Sequence, residues 1–309
     1  MSSNSAPRSI FRGVLPVLET PFTSNGDVDL VSFECLVEYV SSLPVTGMMF
    51  PGFASEFSKL DLDERHALSL LMVAGARENS VASVLSIPDH ATRFAVEEAE
   101  WAADHGATAL NLLPPSFLLP SVDEIKAHIA AVLAAVPNIP VIVQLAPGLT
   151  GSVLPAAELV ALAERYNNLQ AVKVENVPPG KSVSLLGQLR PQLPCLVGYA
   201  GLYLPDSLAR GAVGVQPGCS FVELYVAMWD FWRAGEIDSF SSLHRRLAPY
   251  LLEWMENVEL IVQVEKRISM RRGLIASDFC RRPGYQLDQH QEAGVERFLL
   301  EFADELATF

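Results

Sequence analysis

Cysteine, lysine and long apolar runs are all scarce in this chain, and each shortage excludes something. The four cysteines, Cys35, Cys195, Cys219 and Cys280, are scattered over 309 residues and form no CxxC pair. That spacing argues against a structural zinc site and leaves four reduced thiols. The six histidines show no metal-ligand spacing either, so no metal is expected. No uninterrupted apolar run reaches the roughly 18 residues of a membrane span. The opening MSSNSAPRS lacks the apolar stretch of a secretory signal and reads as a disordered tail over residues 1–9. Basic residues are outnumbered 22 to 36, giving a formal charge of −14, which excludes nucleic acid as a partner. A soluble, cytoplasmic protein is expected.

What is present is apolar mass: half the residues are hydrophobic, enough for a large core. Short apolar runs alternate with amphipathic stretches of helical length. The runs are Gly13–Leu18, Gly47–Pro51, Val81–Ile87, Thr108–Leu113, Pro140–Leu145, Leu169–Glu175, Cys195–Tyr199 and Ala212–Gln216. Helices are predicted between them near 30–41, 62–76, 90–105, 122–135, 155–166, 183–189 and 204–210. Eight βα units predict an α/β fold, a (β/α)8 TIM barrel over residues 10–234. Four further helical stretches, near 222–234, 237–256, 258–272 and 291–309, exceed what a barrel needs, so residues 235–309 are expected to form a C-terminal helical appendage. The stripe Phe221, Tyr225, Trp229 and Trp232 reads as packing or a subunit contact.

There are only five lysines, and Lys173 lies inside an apolar strand. A buried cation is costly unless it is paired or loses its proton, and a neutral amine attacks carbonyls. Strand side chains alternate faces, so Lys173 and Glu175 point the same way, with Glu175 nearer the C-terminal rim where barrel active sites lie. The pair reads either as a simple ion pair or as a Schiff-base lysine with a carboxylate placed for proton transfer. After the second strand, Gly52-Phe53-Ala54-Ser55-Glu56 offers backbone amides for a carboxylate, or is an ordinary turn.

Taken in order, several segments resemble the dihydrodipicolinate synthase/N-acetylneuraminate lyase family over about residues 9–300. They are Gly13…Thr20-Pro21-Phe22, Gly52-x-x-Ser55-Glu56, Pro147…Thr150-Gly151, Val172-Lys173 and Gly211-Ala212…Gly214. The resemblance implies a covalent Schiff base through Lys173, no separate cofactor, a small 2-oxo acid substrate and a homotetramer. It implies that the amides of Ala54 and Ser55, with Phe53, Gly214, Gln216 and Tyr199, surround the substrate. Glu56 matches a glutamate that is structural there. The departures are informative. The family's catalytic tyrosine falls on Gln144, its relay tyrosine near Ser116-Phe117 and its loop threonine on Phe53. The arginine that holds the synthase's aldehyde carboxylate falls on Leu149, and the acidic residues of the sialic acid lyases fall on Ala200 and Gly201. With Gln144 in place of tyrosine and Lys-x-Glu on the sixth strand, the chain is similar to the branch that dehydrates 2-keto-3-deoxy sugar acids. The expected activity is therefore a Schiff-base dehydratase, with Lys173, Glu175 and Gln144 catalytic. A pyruvate-dependent aldolase and a non-catalytic 2-oxo acid binder are the alternatives.

Overall fold

A computed structural model describes residues 10–306, so the tail at residues 1–9 and the last three residues of the predicted final helix lie outside it. Eight parallel strands form one sheet: β1 (Gly13–Val14), β2 (Gly47–Phe50), β3 (Ala82–Ile87), β4 (Ala109–Leu112), β5 (Val141–Leu145), β6 (Leu169–Val174), β7 (Cys195–Val197) and β8 (Gly214–Val215). Neighbours follow chain order and β8 pairs with β1. The ring closes between β1 and β2 through a single bridge, Val17 to Met49. The first strand is much shorter than predicted because Pro16 has no N–H to give to a ladder. The amides of Leu18 and Met49 complete the seam instead, donating to Met49 and Pro16 carbonyls at 2.9 Å.

The strand period sorts the side chains. Leu15, Met49, Val84, Ala109, Ile142, Ala171 and Leu196 fill the barrel with an apolar plug. Two residues further along the same strands, on the same face, stand Ser86, Asn111, Gln144 and Lys173, all buried. The plug is thus capped by a polar layer at the C-terminal end. The outward-facing residues join a larger core against the helices.

The helices are α1 (Leu30–Ser42), α2 (Leu62–Glu78), α3 (Thr92–Asp104), α4 (Val122–Ala135), α5 (Pro147–Thr150), α6 (Ala156–Arg165), α7 (Gly180–Leu189), α8 (Leu204–Ala209), α9 (Val222–Ala234), α10 (Ile237–Trp254), α11 (Val258–Arg271) and α12 (Gln289–Glu301). Side-chain caps start several of them: Asp29, Asp61, Ser121, Asn257 and Asp288 accept from first-turn amides. The last helix stops short of its predicted end because Phe302 and Leu306 turn inward and are buried. The aromatic stripe is packing: Phe221 and Tyr225 are buried, and Phe221 and Trp254 meet Phe298 of α12 at 5.1 and 5.2 Å. Among the described residues no helix is long and apolar enough to cross a membrane, and no group of three or more His, Cys, Asp or Glu could hold a metal ion.

Candidate active site

At the C-terminal ends of the strands a small cavity of about 70 Å³, partly open to solvent, is lined by Val17, Phe53, Ala54, Leu149, Lys173, Glu175, Tyr199, Gln216 and the α11 face Val258, Ile261, Val262 and Glu265. A larger hollow around Arg12, Gln192 and Arg210 sits where β7 and β8 begin, away from the lysine.

Lys173 is buried near the end of β6, and its Nζ lies 3.5 Å from Glu175 Oε1. Glu175 follows the last β6 residue and is itself held by donors. Gln144 Nε2, from the neighbouring strand, donates to its Oε2 at 2.5 Å, and the Tyr199 backbone N–H donates to Oε1 at 3.2 Å. Behind Gln144, Asn111 Nδ2 donates to Gln144 Oε1 at 2.8 Å and lies 3.0 Å from Ser86 Oγ. One polar chain thus crosses β3, β4, β5 and β6 and ends on the carboxylate beside the lysine. Gly198 makes room for it, since a Cβ there would lie 2.0 Å from Glu175 Oε1.

The loop after β2 is a tight 3-10 turn, Phe53–Ser55. Ser55 is fully buried. Its hydroxyl donates to the Leu18 carbonyl and accepts from Gly52 N–H at 2.9 Å, and its amide donates to the Gly52 carbonyl. Glu56 ends the turn in the left-handed region and anchors it. Lys266 of α11, fully buried, donates to Glu56, and Lys59 reaches the other oxygen at 2.9 Å. Lys266 also lies 4.3 Å from the Phe22 ring centroid and donates to the Phe279 carbonyl at 2.9 Å.

Two other carboxyls are differently placed. Glu19, on the inward face two residues beyond Val17, is buried, and neither of its oxygens has a hydrogen-bond partner among the described residues. Burial pushes its carboxyl up to about 7, although the Ser269 hydroxyl and the Lys266 ammonium favour the charged form. Glu265 presses its carboxyl against Gly218, where a Cβ would meet Oε2 at 1.7 Å. Its Oε2 has no partner among the described residues, and burial, reinforced by Glu19 and only partly opposed by the Ser220 hydroxyl, pushes it up to about 8.

Of the residues expected at the site, Lys173, Glu175, Tyr199, Phe53, Ala54 and Gln216 line the cavity together. Three others, Gln144, Ser55 and Gly214, stand outside the cavity lining. Gln144 lies behind Glu175, accepting from Asn111 and donating to the carboxylate, and is not among the residues that line the cavity. Ser55 spends its hydroxyl on the Leu18 carbonyl and its amide on the Gly52 carbonyl, while the Phe53 and Ala54 amides have no backbone acceptor among the described residues. Gly214 lies in the β1–β8 ladder, where a Cβ would sit 2.2 Å from the Gly13 carbonyl oxygen, so it serves strand packing. Sequence reasoning missed Asn111, Glu19 and Glu265. An asparagine in the middle of Thr108–Leu113 was a usable signal, because a polar side chain in a strand covered on both faces requires a partner. Glu265, in a Val-Glu-Lys-Arg run, looked like an ordinary helix surface.

Comparison with known proteins fits this geometry. The dihydrodipicolinate synthetase family matches residues 10–301. The chain is 30% identical over 242 residues to the 4-hydroxy-tetrahydrodipicolinate synthase of Methanopyrus kandleri, covering 77% of this chain and 79% of that one. It is 27% identical over 297 residues to the L-2-keto-3-deoxyarabonate dehydratase of Azospirillum brasilense, covering 92% and 91%. The crystal structure of dihydrodipicolinate synthase from Rhodopseudomonas palustris superposes with a TM-score of 0.87 at 22% identity, covering 94% of this chain and 97% of that one. A whole-length family match on a barrel with its lysine at the sixth strand is sufficient: the chain belongs to the dihydrodipicolinate synthetase family and is a lyase.

Proposed function

We propose that this lyase dehydrates a 2-keto-3-deoxy sugar acid through a Schiff base on Lys173. The observation that carries the reading is the Lys173–Glu175 pair, with Gln144 bracing the carboxylate where the resemblance places a tyrosine. The Lys173 amine attacks the C2 carbonyl and water leaves, giving an iminium that draws electrons from C3. Glu175, 3.5 Å from the amine, takes the C3 proton. The hydroxyl on C4 then departs and a C3–C4 double bond forms. The free amides of Phe53 and Ala54 hold the substrate carboxylate. No C–C bond breaks, so no tyrosine relay is required to protonate a cleaved fragment. The dehydratase relative, aligned over 92% of the chain, supports this reading over the synthase, whose aldehyde-binding arginine is replaced by Leu149 at the cavity wall.

The test is incubation with L-2-keto-3-deoxyarabonate and sodium borohydride. A reduced adduct on Lys173 by peptide mass spectrometry, with water loss and no pyruvate, is expected. Pyruvate release would transfer the protein to the aldolases, and an unmodified Lys173 would remove the Schiff base altogether. We further infer a homotetramer, the assembly common in the family. The exposed Phe117, Leu118 and Leu119 offer apolar surface to a second copy, and light scattering would show the mass. The free thiols favour a reducing compartment such as the cytoplasm.

A further inference from the structure

The mechanism above removes a proton from C3 but supplies none to the departing C4 hydroxyl, and hydroxide is a poor leaving group. Two cavity groups are not used by it. Gln216, on β8's inward face and buried, has its Nε2 directed at Met49 Sδ at 3.7 Å, while its Oε1 has no partner among the described residues. Glu265, more than nine-tenths buried, also lines the cavity and has an unpartnered Oε2. Neither is a neutral packing choice, because a buried polar atom without a partner is costly. Glu265 is moreover the sole charged side chain on the wall formed by Met255, Val258, Ile261 and Val262.

We propose that Glu265 is the acid that protonates the leaving C4 hydroxyl, and that Gln216 accepts the hydrogen of the same hydroxyl and orients it. The inference rests on the dehydratase reading of the site. The hydroxyl has one hydrogen, which goes to Gln216 Oε1, and lone pairs to accept from the Glu265 carboxyl. The enamine formed at C2–C3 pushes its electron pair toward C4. The C4–O bond breaks as the oxygen takes the Glu265 proton, water leaves, and the C2 iminium and a C3–C4 double bond form. Glu175 is left protonated and Glu265 ionised, and water returns the proton from one to the other. The environment of Glu265 suits an acid. Burial and the neighbouring Glu19 hold its proton, with Tyr225 and Cys219 the other titratable groups near it, and Lys266 projects from the same helix toward Glu56 instead. Two carboxyls in one cavity, one braced by several donors and one with a buried oxygen that has no partner among the described residues, form the arrangement that separates a base from an acid.

The experiment compares wild type with Glu265→Gln on L-2-keto-3-deoxyarabonate and on its 4-deoxy-4-fluoro analogue, whose fluoride leaves without needing a proton. Borohydride trapping and deuterium exchange at C3 are read alongside. Expected for Glu265→Gln are intact trapping, intact C3 exchange, water loss slowed by about 10²-fold or more, and fluoride release within about threefold of wild type. Intact fluoride release also shows that the variant is folded. Glu265→Met serves as the second variant if glutamine unfolds the helix, with the same expected split. Water loss at the wild-type rate would overturn the proposal, as would equal slowing of water loss, fluoride release and exchange, which marks a merely structural role. If wild type itself shows neither trapping nor C3 exchange, the Schiff-base reading falls and this proposal falls with it. If trapping and exchange are normal but the two substrates respond alike, only the proposal falls.

Discussion

Four carboxyls are buried at the mouth of this barrel, and they divide into two pairs. Glu175 and Glu56 are surrounded by donors: Gln144, the Tyr199 amide and Lys173 for the first, Lys266 and Lys59 for the second. Glu19 and Glu265 keep buried oxygens with no partner among the described residues. A carboxyl among donors is an acceptor with a fixed position, suited to taking a proton or holding a loop. A carboxyl denied them keeps its own proton, and burial raises both members of the second pair to about 7 and 8. Composition does not separate the pairs, since all four are glutamates. What separates them is whether the facing strand or helix brings a nitrogen.

The sharpest break is Lys173→Ala, which removes the amine that Glu175 faces. Turnover and borohydride labelling of the strand should both vanish, and residual labelling would place the nucleophile elsewhere. Next is Glu175→Gln, which keeps the shape and loses the base. We expect kcat to fall by about 10²–10⁴-fold while Lys173 still traps substrate, so a small loss would assign the C3 proton to water. Lys266→Met attacks the other partnered carboxyl. Leaving Glu56 short of its buried cation should cost about 3–5 kcal/mol in urea unfolding, and a change below 1 kcal/mol would mean that Lys59 alone suffices.

The mildest probe is Glu19→Gln, read against pH. With a folded value near 7 against an ordinary 4.5, folded Glu19 holds more protons than the unfolded chain between those values. Its contribution therefore falls as pH rises through that window, and below it nothing is lost. The variant should match wild type near pH 4.5 and exceed it at pH 8 by about 3 kcal/mol. Parallel curves would show that Glu19 is hydrated and ordinary.

The comparison also explains what the sequence disclosed. The eight-unit alternation was readable because each strand is covered on both faces and each helix on one. Lys173 stood out because a cation in an apolar run is expensive, and Glu175 followed from the strand period. Gln144 was placed correctly on its strand, but its partners were not legible. Strand period gives a face, but only the neighbouring strands' register puts Asn111 on one side of its amide and Glu175 on the other. Ser55 misled for a similar reason: its hydroxyl was visible, and the Leu18 carbonyl that consumes it is 37 residues away. Glu265 and Lys266 were hidden by a long-range fact, the folding of α11 over the cavity, which no local pattern contains.

That helix has a consequence for the life of the chain before it folds. Synthesis proceeds from the amino terminus, so all eight strands and Lys173 emerge before α11 does. Until residues 258–271 arrive, the nascent barrel has its amine but lacks the Val258–Glu265 wall, and its Gly52–Glu56 turn has no Lys266 to pin it. The wall that faces Lys173 across the cavity is thus translated only after the whole barrel that holds the lysine.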